Sequence, residues 1–453
     1  MQHTRVDRRR RVRNTAAAAA VVLALLAAAA PAATAAATPD RQGAEASAAA
    51  PASDLDRKAL AQRLDAVRDA GMYGAYGSVR DGRARWSGAT GVADTDTGRP
   101  TRPDTLHRVG SITKSFTSVA VLQQSARGRI DLDAPVGDYL PELLPGERGR
   151  KVTVRMLMNH TSGIADYIAE AFPSLKENSP RSLDDFRHRT LRPAQLIGYG
   201  VGRPQLFEPG TDWSYSNTNY LLLGELLRKA TGEDPERVIT RNVIRRAGLK
   251  DTYFPGTDPR IKGPHSKMYE NLGGLIDPPR DYSEYDMTMA GTAGALVSTA
   301  QDLNAFYRAL FQGDLLPADL LGEMRTTVPV KDGNGTVVIR YGLGIYTMDT
   351  PCGPVWGHDG AVWGAGTHAM SSADGRRQFA VGFNLMGYQR QDANGRPVPH
   401  PVDAALGALR DQALCGSAAP AGRSAAAPQA LPEPLDSLPL KGARPAASGQ
   451  RLR

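Results

Sequence analysis

The feature of this sequence that most restricts its fold is the position of its strand-like segments. Alternating or continuous apolar runs typical of strands are found at 76–79, 85–92, 336–346, 366–371 and 379–385. Between the second and third of these, residues 130–290 show short helical patterns interrupted by prolines and loop signals. Sheet-forming sequence therefore brackets a largely helical middle.

Four longer segments have apolar residues at helical spacing. They are predicted as helices at 55–70, 111–126, 301–311 and 402–414. Gly128 follows the second of them and is expected to cap its C-terminal end. No internal repeat interrupts this order of elements.

The net charge of +8 is concentrated at the two ends of the chain. Six arginines and one aspartate give residues 1–37 a charge of +5, and the tail 416–453 carries +3. The remaining body is close to neutral, so we expect no nucleic-acid partner. We expect one substrate-binding domain over 54–415, acting as a monomer.

The first 37 residues combine an Arg-rich start, an Ala-rich apolar stretch and small residues, which is typical of a secretory signal. An uncleaved membrane anchor is the alternative, but the apolar stretch is short for a span. We predict a signal peptide at 1–37, a flexible leader at 38–53 and a disordered Ala- and Pro-rich tail at 416–453. The mature protein is predicted to be secreted, by either the general or the twin-arginine route.

Cys352 and Cys415 are the two cysteines of the chain. In an exported protein such a pair favours one disulfide, although two unrelated buried thiols remain an alternative. The eight histidines form no HExxH-type pair, and the Gly-rich runs do not match a phosphate loop. We therefore expect neither a metal nor a cofactor.

The segment Ser111-Ile112-Thr113-Lys114 lies at the start of a predicted helix. Residues three apart on a helix share a face, so the Ser111 hydroxyl and the Lys114 amine can come within hydrogen-bond reach. Such a lysine can take the serine proton, and a helix start favours negative charge on an attacked carbonyl. Taken alone, the same four residues would more often be a helix cap followed by a surface lysine.

Two further segments offer groups that suit such a serine. Tyr215 and Asn217 are two residues apart in extended chain, so both side chains can face one cleft, although a buried tyrosine beside an Asx turn is the simpler interpretation. His358 lies between Gly357 and the pair Asp359-Gly360, after strand-like sequence, where close backbone approach would let an amide complete an oxyanion hole. A structural histidine in a turn is the alternative.

Taken together, these motifs resemble the serine penicillin-recognising hydrolases, and in particular the secreted actinomycete D-alanyl-D-alanine carboxypeptidases related to class C β-lactamases. The resemblance covers residues 54–415, including both cysteine positions. It is carried by 108–116, Gly128 with 131–133, 157–163, 215–219, 341–344 and 357–360. It implies an α+β fold: an antiparallel sheet flanked by helices, with an inserted all-helical domain and a cleft between them.

The resemblance also implies roles for single residues. Ser111 would attack, Lys114 would assist, Tyr215 would act as acid and base, and Asn217 would orient substrate. The strand of His358, with Asp359, Gly360 and Ala361, would line the cleft, and the amides of Ser111 and Ala361 would form the oxyanion hole. Apart from the resemblance, Tyr346, Phe172 and Arg203 are candidates to line the substrate cleft.

Two positions depart from the carboxypeptidase pattern. Tyr346 occupies the place of an arginine that reads the terminal carboxylate of the substrate, and Asp359 and Ala361 stand where threonines are expected. An aspartate at this point would repel a carboxylate. The nucleophilic groups therefore match the resemblance better than the substrate-recognising groups do.

The predicted function is that of a secreted acyl-transfer hydrolase that cleaves D-alanyl peptides of the cell wall through an acyl-enzyme and is acylated by β-lactams. An esterase, an amidase, a D-amino-acid peptidase or a β-lactamase with the same groups is the close alternative. A non-catalytic binding protein on this fold would be expected to have lost one of Ser111, Lys114, Tyr215 or Asn217, and all four are present. A structural or adhesion role is weaker still.

Overall fold

The structure is a computed structural model that describes residues 55–332, 335–390 and 398–418. The predicted signal peptide, the leader and nearly all of the predicted tail lie outside these residues. The helices are α1 Arg57–Asp69, α2 Thr113–Ser125, α3 Val136–Tyr139, α4 Gly146–Lys151, α5 Val154–Met158, α6 Ile168–Ala171, α7 Arg181–Asp185, α8 Pro193–Val201, α9 Asn217–Thr231, α10 Pro235–Ile239, α11 Gly291–Gly294, α12 Ala300–Phe311, α13 Ala318–Met324 and α14 Pro401–Cys415.

Most of the strands form one antiparallel sheet with the order β3-β2-β1-β13-β12-β11-β10-β9-β8. Two small sheets, β14-β5-β6 and β4-β7, lie beside it. The strands are β1 Gly74–Asp81, β2 Ala84–Asp94, β3 Arg99–Pro100, β4 His107–Arg108, β5 Tyr269–Glu270, β6 Arg280–Asp281, β7 Val297–Ser298, β8 Val328–Lys331, β9 Val337–Tyr341, β10 Tyr346–Thr350, β11 Gly353–Val362, β12 Ala365–Ser372, β13 Arg377–Phe383 and β14 Leu385–Met386.

The sheet joins the two ends of the described chain, as the bracketing pattern indicates. β1 pairs with β13, with Ala75 opposite Phe383 and Asp81 opposite Arg377. The N-terminal hairpin is thus completed by the C-terminal strands, and the helical middle leaves and rejoins the sheet as an insertion. This confirms the predicted α+β architecture.

Two details of the predicted elements are wrong. The run 336–346 is not one strand but β9 and β10, because Gly344 adopts φ +77° and the Gly342 amide donates to the Ile345 carbonyl in a tight turn. The middle region is not all helical either, because it contains β5, which pairs with β14, and β6, which pairs with β5. Two-residue strands of this kind leave too short a pattern to detect.

The sheet has a helical layer on each side. Phe379 and Val381 of β13 pack in the cluster that contains α1 and α14, whereas Ala380, between them, packs in the cluster that contains α12. Since successive side chains of a strand point to opposite faces, the two helical layers lie on opposite sides. The larger hydrophobic core is the one on the α12 side.

Helix α2 runs through that larger core and is buried around its circumference. Its polar side chains are hydrogen-bonded rather than solvated: Ser115 Oγ donates to the Gly344 carbonyl at 2.7 Å and Thr117 Oγ1 to the Thr292 carbonyl at 2.8 Å. Buried hydroxyls need such partners, so these bonds fix the helix in one orientation.

The predicted disulfide forms. Cys352, in the turn between β10 and β11, is bonded to Cys415 at the end of α14, with their Cα atoms 5.4 Å apart. The bond ties the last helix to the sheet across a separation of 63 residues. Among the helices that the structure describes, none is long and apolar enough to cross a bilayer.

Candidate active site

Ser111 lies in a 3-10 turn, Gly110–Ile112, that leads from β4 into α2. The turn is anchored from both sides: the Val109 amide donates to the Leu296 carbonyl at 3.0 Å, and Thr113 Oγ1 accepts from the Leu296 amide at 3.1 Å. The α-helix therefore begins at Thr113, slightly later than the sequence suggests. Ser111 and Lys114 still lie three residues apart on one side of the turn.

Lys114 is fully buried, and its amine makes three hydrogen bonds. Nζ donates to Ser111 Oγ at 2.7 Å, to Asn217 Oδ1 at 2.6 Å and to the Ala293 carbonyl at 2.8 Å. These three acceptors come from the 3-10 turn, α9 and α11, so the lysine joins separate parts of the chain. The predicted contact between Ser111 and Lys114 is present.

Asn217 begins α9 and is held by Asp166. Asp166 Oδ2 accepts from the Asn217 backbone amide at 2.6 Å and from Asn217 Nδ2 at 2.9 Å. Because the amide nitrogen of the side chain is bound to the carboxylate, Oδ1 must face Lys114. Asp166 therefore sets the orientation of Asn217.

Tyr215 lies on the other side of Lys114. The lysine Nζ is 4.7 Å from the centre of the Tyr215 ring, within the range of a cation–π contact. The His160 ring also packs on Tyr215, with ring centres 4.3 Å apart. The structure thus brings Ser111, Lys114, Tyr215 and Asn217 into one cluster.

Strand β11 presents two different faces to the protein. We call the face toward α2 the front face, which carries Trp356, His358 and Gly360, and the face toward α1 and α14 the back face, which carries Val355, Asp359 and Ala361. On the front face His358 is fully buried, with Nε2 2.8 Å from the Tyr341 hydroxyl. Burial, and then the charge of Lys114, lowers the pKa of His358 to about 3, so the ring is neutral.

The end of β11 lies against the Ser111 turn at van der Waals distance. A Cβ atom at Gly360 would lie 2.0 Å from the Val109 carbonyl oxygen and 2.9 Å from the Ser111 amide nitrogen. One at Gly110, where φ is +52°, would lie 2.6 Å from the Ala361 amide nitrogen. Two glycines therefore allow the backbone amides of Ser111 and Ala361 to lie next to each other.

On the back face Asp359 points away from Ser111 and Lys114. Its side chain is 1 % exposed, and Oδ1 is 3.5 Å from His368 Nδ1 of β12. Burial, and then the charge of Asp359, raises the pKa of the neighbouring Tyr346 phenol well above its ordinary value. Asp359 and Tyr346 thus form a buried pair on the side of the strand opposite His358.

The two remaining predicted residues, Phe172 and Arg203, make their contacts outside the Ser111 cluster. Phe172 is a core residue, fully buried, with its ring centre 5.6 Å from that of Trp363 in the turn after β11. Arg203 forms an ion pair with Glu170. The structure gives neither of them a contact with Ser111, Lys114, Tyr215 or Asn217.

Sequence reasoning missed Asp166, and it gave no role to His160 or to the Ala293 carbonyl. The only available signal for Asp166 is its place shortly after the segment 157–163, where an Asp would be interpreted as a turn residue. It does form such a turn, since Oδ1 accepts from the Ile168 amide at 2.7 Å. Within the described residues, no three His, Cys, Asp or Glu side chains converge as metal ligands.

A family model described as Beta-lactamase matches residues 57–398, three quarters of the chain and all of the site described above. The chain belongs to the Beta-lactamase family. It is a member of the serine penicillin-recognising hydrolases and has their β-lactamase/DD-peptidase-like fold.

Three relatives illustrate how varied this family is. The crystal structure of a D-stereospecific amidohydrolase from Streptomyces sp. is 38 % identical, with a TM-score of 0.67 and coverage of 73 % of this chain and 95 % of that one. Esterase EstB from Burkholderia gladioli is 35 % identical over 217 residues, 46 % of this chain and 55 % of the relative. A D-aminopeptidase from Cereibacter sphaeroides is 28 % identical over 343 residues, 73 % of this chain and 60 % of the relative. The chain spans less than two thirds of the length of the first curated relatives that it matches.

Proposed function

We propose that this protein is an exported, D-stereospecific serine hydrolase that cleaves amides and esters of D-amino acids through an acyl-enzyme at Ser111. The cluster of Ser111, Lys114, Tyr215 and Asn217 supports the acyl-transfer chemistry. The similarity to the Streptomyces D-stereospecific amidohydrolase, which extends over 95 % of that chain, supports the substrate class. Export is supported by the composition of residues 1–37 and by the Cys352–Cys415 disulfide.

In the first step Ser111 Oγ attacks the substrate carbonyl while its proton passes to Lys114 Nζ, which must be unprotonated to accept it. The 2.7 Å distance between Oγ and Nζ is suited to this transfer. Asn217 Oδ1 and the Ala293 carbonyl hold the amine in place as it becomes an ammonium. His358 and His160 are neutral, so neither adds positive charge beside the lysine.

The negative charge on the attacked oxygen is stabilised by the amides of Ser111 and Ala361. Preorganised donors of this kind contribute about 3–4 kcal/mol each to the transition state. The C–N or C–O bond then breaks, and the leaving amine or alcohol takes its proton from the Tyr215 hydroxyl, which recovers one from Lys114. Attack of water on the acyl-enzyme, by the same route, releases the D-amino acid and restores Ser111.

The Asp359–Tyr346 pair supports one substrate class over another. By the resemblance, a carboxypeptidase carries an arginine at the position of Tyr346, where it binds the free carboxylate at the end of the substrate. Here that position holds a buried phenol beside a buried carboxylate. This position therefore offers no cation to a substrate carboxylate, which favours substrates whose reacting end is an amide or an ester.

The D-alanyl-D-alanine carboxypeptidase activity indicated by the sequence remains the main alternative. It shares the acyl-enzyme, so acylation by penicillins is expected in both cases. The two differ in whether a free carboxylate next to the scissile bond helps or hinders. A β-lactamase differs from both only in how fast water hydrolyses the penicilloyl-enzyme.

The test compares four substrates with the mature protein. D-phenylalanine amide, L-phenylalanine amide, a p-nitrophenyl ester of a D-amino acid and a D-alanyl-D-alanine tripeptide are each measured for kcat/KM. Ser111→Ala provides the catalytic control, and Ser87→Ala, at an exposed position on β2, provides the matched control. Intact-mass measurement after a fluorescent penicillin identifies the acylated residue.

We expect Ser111-dependent hydrolysis of the D-amide and the ester, little cleavage of the L-amide, and weak cleavage of the tripeptide. Faster cleavage of the tripeptide than of the D-amide would replace the proposal with the carboxypeptidase. Equal rates on the D- and L-amides would contradict D-stereospecificity. Activity that survives in Ser111→Ala would contradict the acyl-enzyme itself.

A further inference from the structure

His160 belongs to the segment 157–163 that the proposed function leaves without a role. Its side chain is fully buried, and its backbone adopts φ +64°. Left-handed backbone is uncommon for a residue with a side chain, and among the described residues only Asn178 and Leu272 share it outside glycine. Such a conformation persists where surrounding contacts hold it, often at functional sites.

Those contacts are made with the chain around Tyr215. The His160 carbonyl accepts from the Ser214 amide at 3.1 Å, and His160 Nδ1 accepts from the Ser216 amide at 3.2 Å. Between these two bonds, the His160 ring packs on the Tyr215 ring at 4.3 Å with a tilt of 34°. One residue therefore holds the backbone on each side of Tyr215 and one face of its ring.

The protonation state of His160 suits this arrangement. Nδ1 can accept from Ser216 only when the imidazole is neutral and carries its proton on Nε2. Burial, and then the charge of Lys114, lowers the pKa of His160 well below its ordinary value, so the ring stays neutral at physiological pH. The acceptor is thus available over the whole range in which the enzyme would work.

We infer that His160 is a positioning residue that fixes the Tyr215 phenol against Lys114, an inference that rests on the proposed role of Tyr215 as acid and base. The Lys114 amine lies 4.7 Å from the centre of the Tyr215 ring, and the imidazole lies 4.3 Å from it. The tyrosine ring therefore contacts both the fixed imidazole and the lysine. Loss of the imidazole frees the phenol to move relative to the amine without removing any group that reacts.

The experiment uses two substitutions that both tolerate left-handed backbone. His160→Gly removes the ring and the Nδ1 acceptor, whereas His160→Asn removes the ring but keeps an acceptor at a similar distance. A displacement of about 1 Å in a reacting group costs roughly 100-fold in rate. We expect His160→Gly to lower kcat for a D-amino-acid ester by about 10- to 100-fold with little change in KM, and His160→Asn to restore a large part of it.

Two further variants and a pH profile distinguish a positioning role of His160 from a purely structural one. Leu157→Ala opens a cavity in the neighbouring helix α5 and should match the loss of melting temperature without the loss of kcat. Tyr215→Phe should lower kcat at least as far as His160→Gly, and the alkaline limb of the pH profile should move in His160→Gly but not in Leu157→Ala. Wild-type kcat in His160→Gly, or a kcat in His160→Asn as low as in Tyr215→Phe, would overturn the inference. Wild-type kcat in Tyr215→Phe would instead overturn the proposed role of the tyrosine.

Discussion

The two faces of β11 differ in what they contribute to the site. The front face is uncharged and close-packed: His358 is neutral, and Gly360 lies against the Ser111 turn. The back face carries a buried carboxylate, Asp359, beside His368 and Tyr346. Because side chains alternate along the strand, the groups beside Ser111 and the groups around Asp359 lie on opposite faces of β11.

This difference explains why reaction type and substrate can vary independently in such a fold. If Ser111 is the nucleophile, the front face needs Gly360, because a side chain there would keep the Ala361 amide away from the serine. It also needs the His358 ring to be neutral. On the back face the Asp359 side chain lies against His368 and Tyr346, so we expect that it can change without loss of acyl transfer. We expect front-face substitutions to lower turnover of every substrate, and back-face substitutions to change the preference among substrates.

The largest effect is expected for Gly360→Ala on the front face. Its new Cβ atom would lie 2.0 Å from the Val109 carbonyl oxygen, a backbone atom that cannot turn aside. The end of β11 must then move away from Ser111, and the Ala361 amide moves with it. We expect kcat to fall by about 100- to 1,000-fold on amide and ester alike, as for the loss of an oxyanion donor.

The matched control is Gly322→Ala in α13, where an added Cβ atom meets nothing within 4 Å. Its kcat should equal that of the wild type, and its melting temperature should be unchanged or slightly higher. The mass of the penicillin-treated protein reports formation of the acyl-enzyme separately from its hydrolysis. Gly360→Ala should be acylated slowly although Ser111 and Lys114 are intact. Rapid acylation in Gly360→Ala would show that the close approach of the two backbones is not needed.

A smaller general loss is expected for Asp166→Asn. The single side-chain oxygen of asparagine cannot accept from both the Ile168 amide and Asn217, and in the orientation that keeps the Ile168 bond its amide nitrogen faces Asn217 Nδ2. Asn217 would then turn its own oxygen away from Lys114. We expect kcat/KM to fall by about 10-fold for all substrates, with Asp185→Asn on the exposed end of α7 as the unaffected control.

The sequence predicts the helices and most strands of the large sheet because their patterns are long enough to be periodic. It also indicates Ser111, Lys114, Tyr215 and Asn217, because each pair is close in sequence and regular structure sets its geometry. The i and i+3 relation of Ser111 and Lys114 survives even though the turn is 3-10 rather than α-helical. Local rules were sufficient for these features.

The contacts that complete the site were not predictable in this way. The Ala293 carbonyl, which accepts from Lys114, lies 179 residues away in sequence, and a carbonyl group has no residue-specific signal. His160 and Asp166 lie 51–56 residues from the partners that they hold, and each residue type suits a turn equally well. The direction of Asp359 depended on the register of β11 against β12, which only the paired strands define.

On the back face, Asp359→Thr should change preference more than rate. Removal of the buried negative charge lowers the repulsion that a substrate carboxylate in the cleft experiences across the strand. We expect the ratio of kcat/KM for the D-alanyl-D-alanine tripeptide to that for D-phenylalanine amide to rise by about 5- to 10-fold. Asp349→Thr, exposed on β10, is the control, and an unchanged ratio would contradict the role assigned to the back face.

The smallest effect on turnover is expected at Glu270, which holds the turn at the end of β11. Its carboxylate is buried and accepts from the Gly364 amide at 2.9 Å and from the Leu272 amide at 2.8 Å. Burial raises the pKa of Glu270 from 4.5 to about 7 in the folded protein. The folded state therefore binds more protons than the unfolded state between these two values, and the free energy of unfolding must fall as the pH rises through them.

The size of this effect follows from the shift in pKa. A group raised from 4.5 to about 7 lowers the free energy of unfolding by roughly 3 kcal/mol between pH 4 and pH 8. Glu270→Gln carries no titrating proton, so this part of the slope should be absent and the stability difference from the wild type should change with pH. Urea unfolding of both proteins at several pH values measures the slope, and parallel curves would show that Glu270 does not titrate in this range. Because the carboxylate holds only the turn, kcat at pH 7 should change by less than about 3-fold.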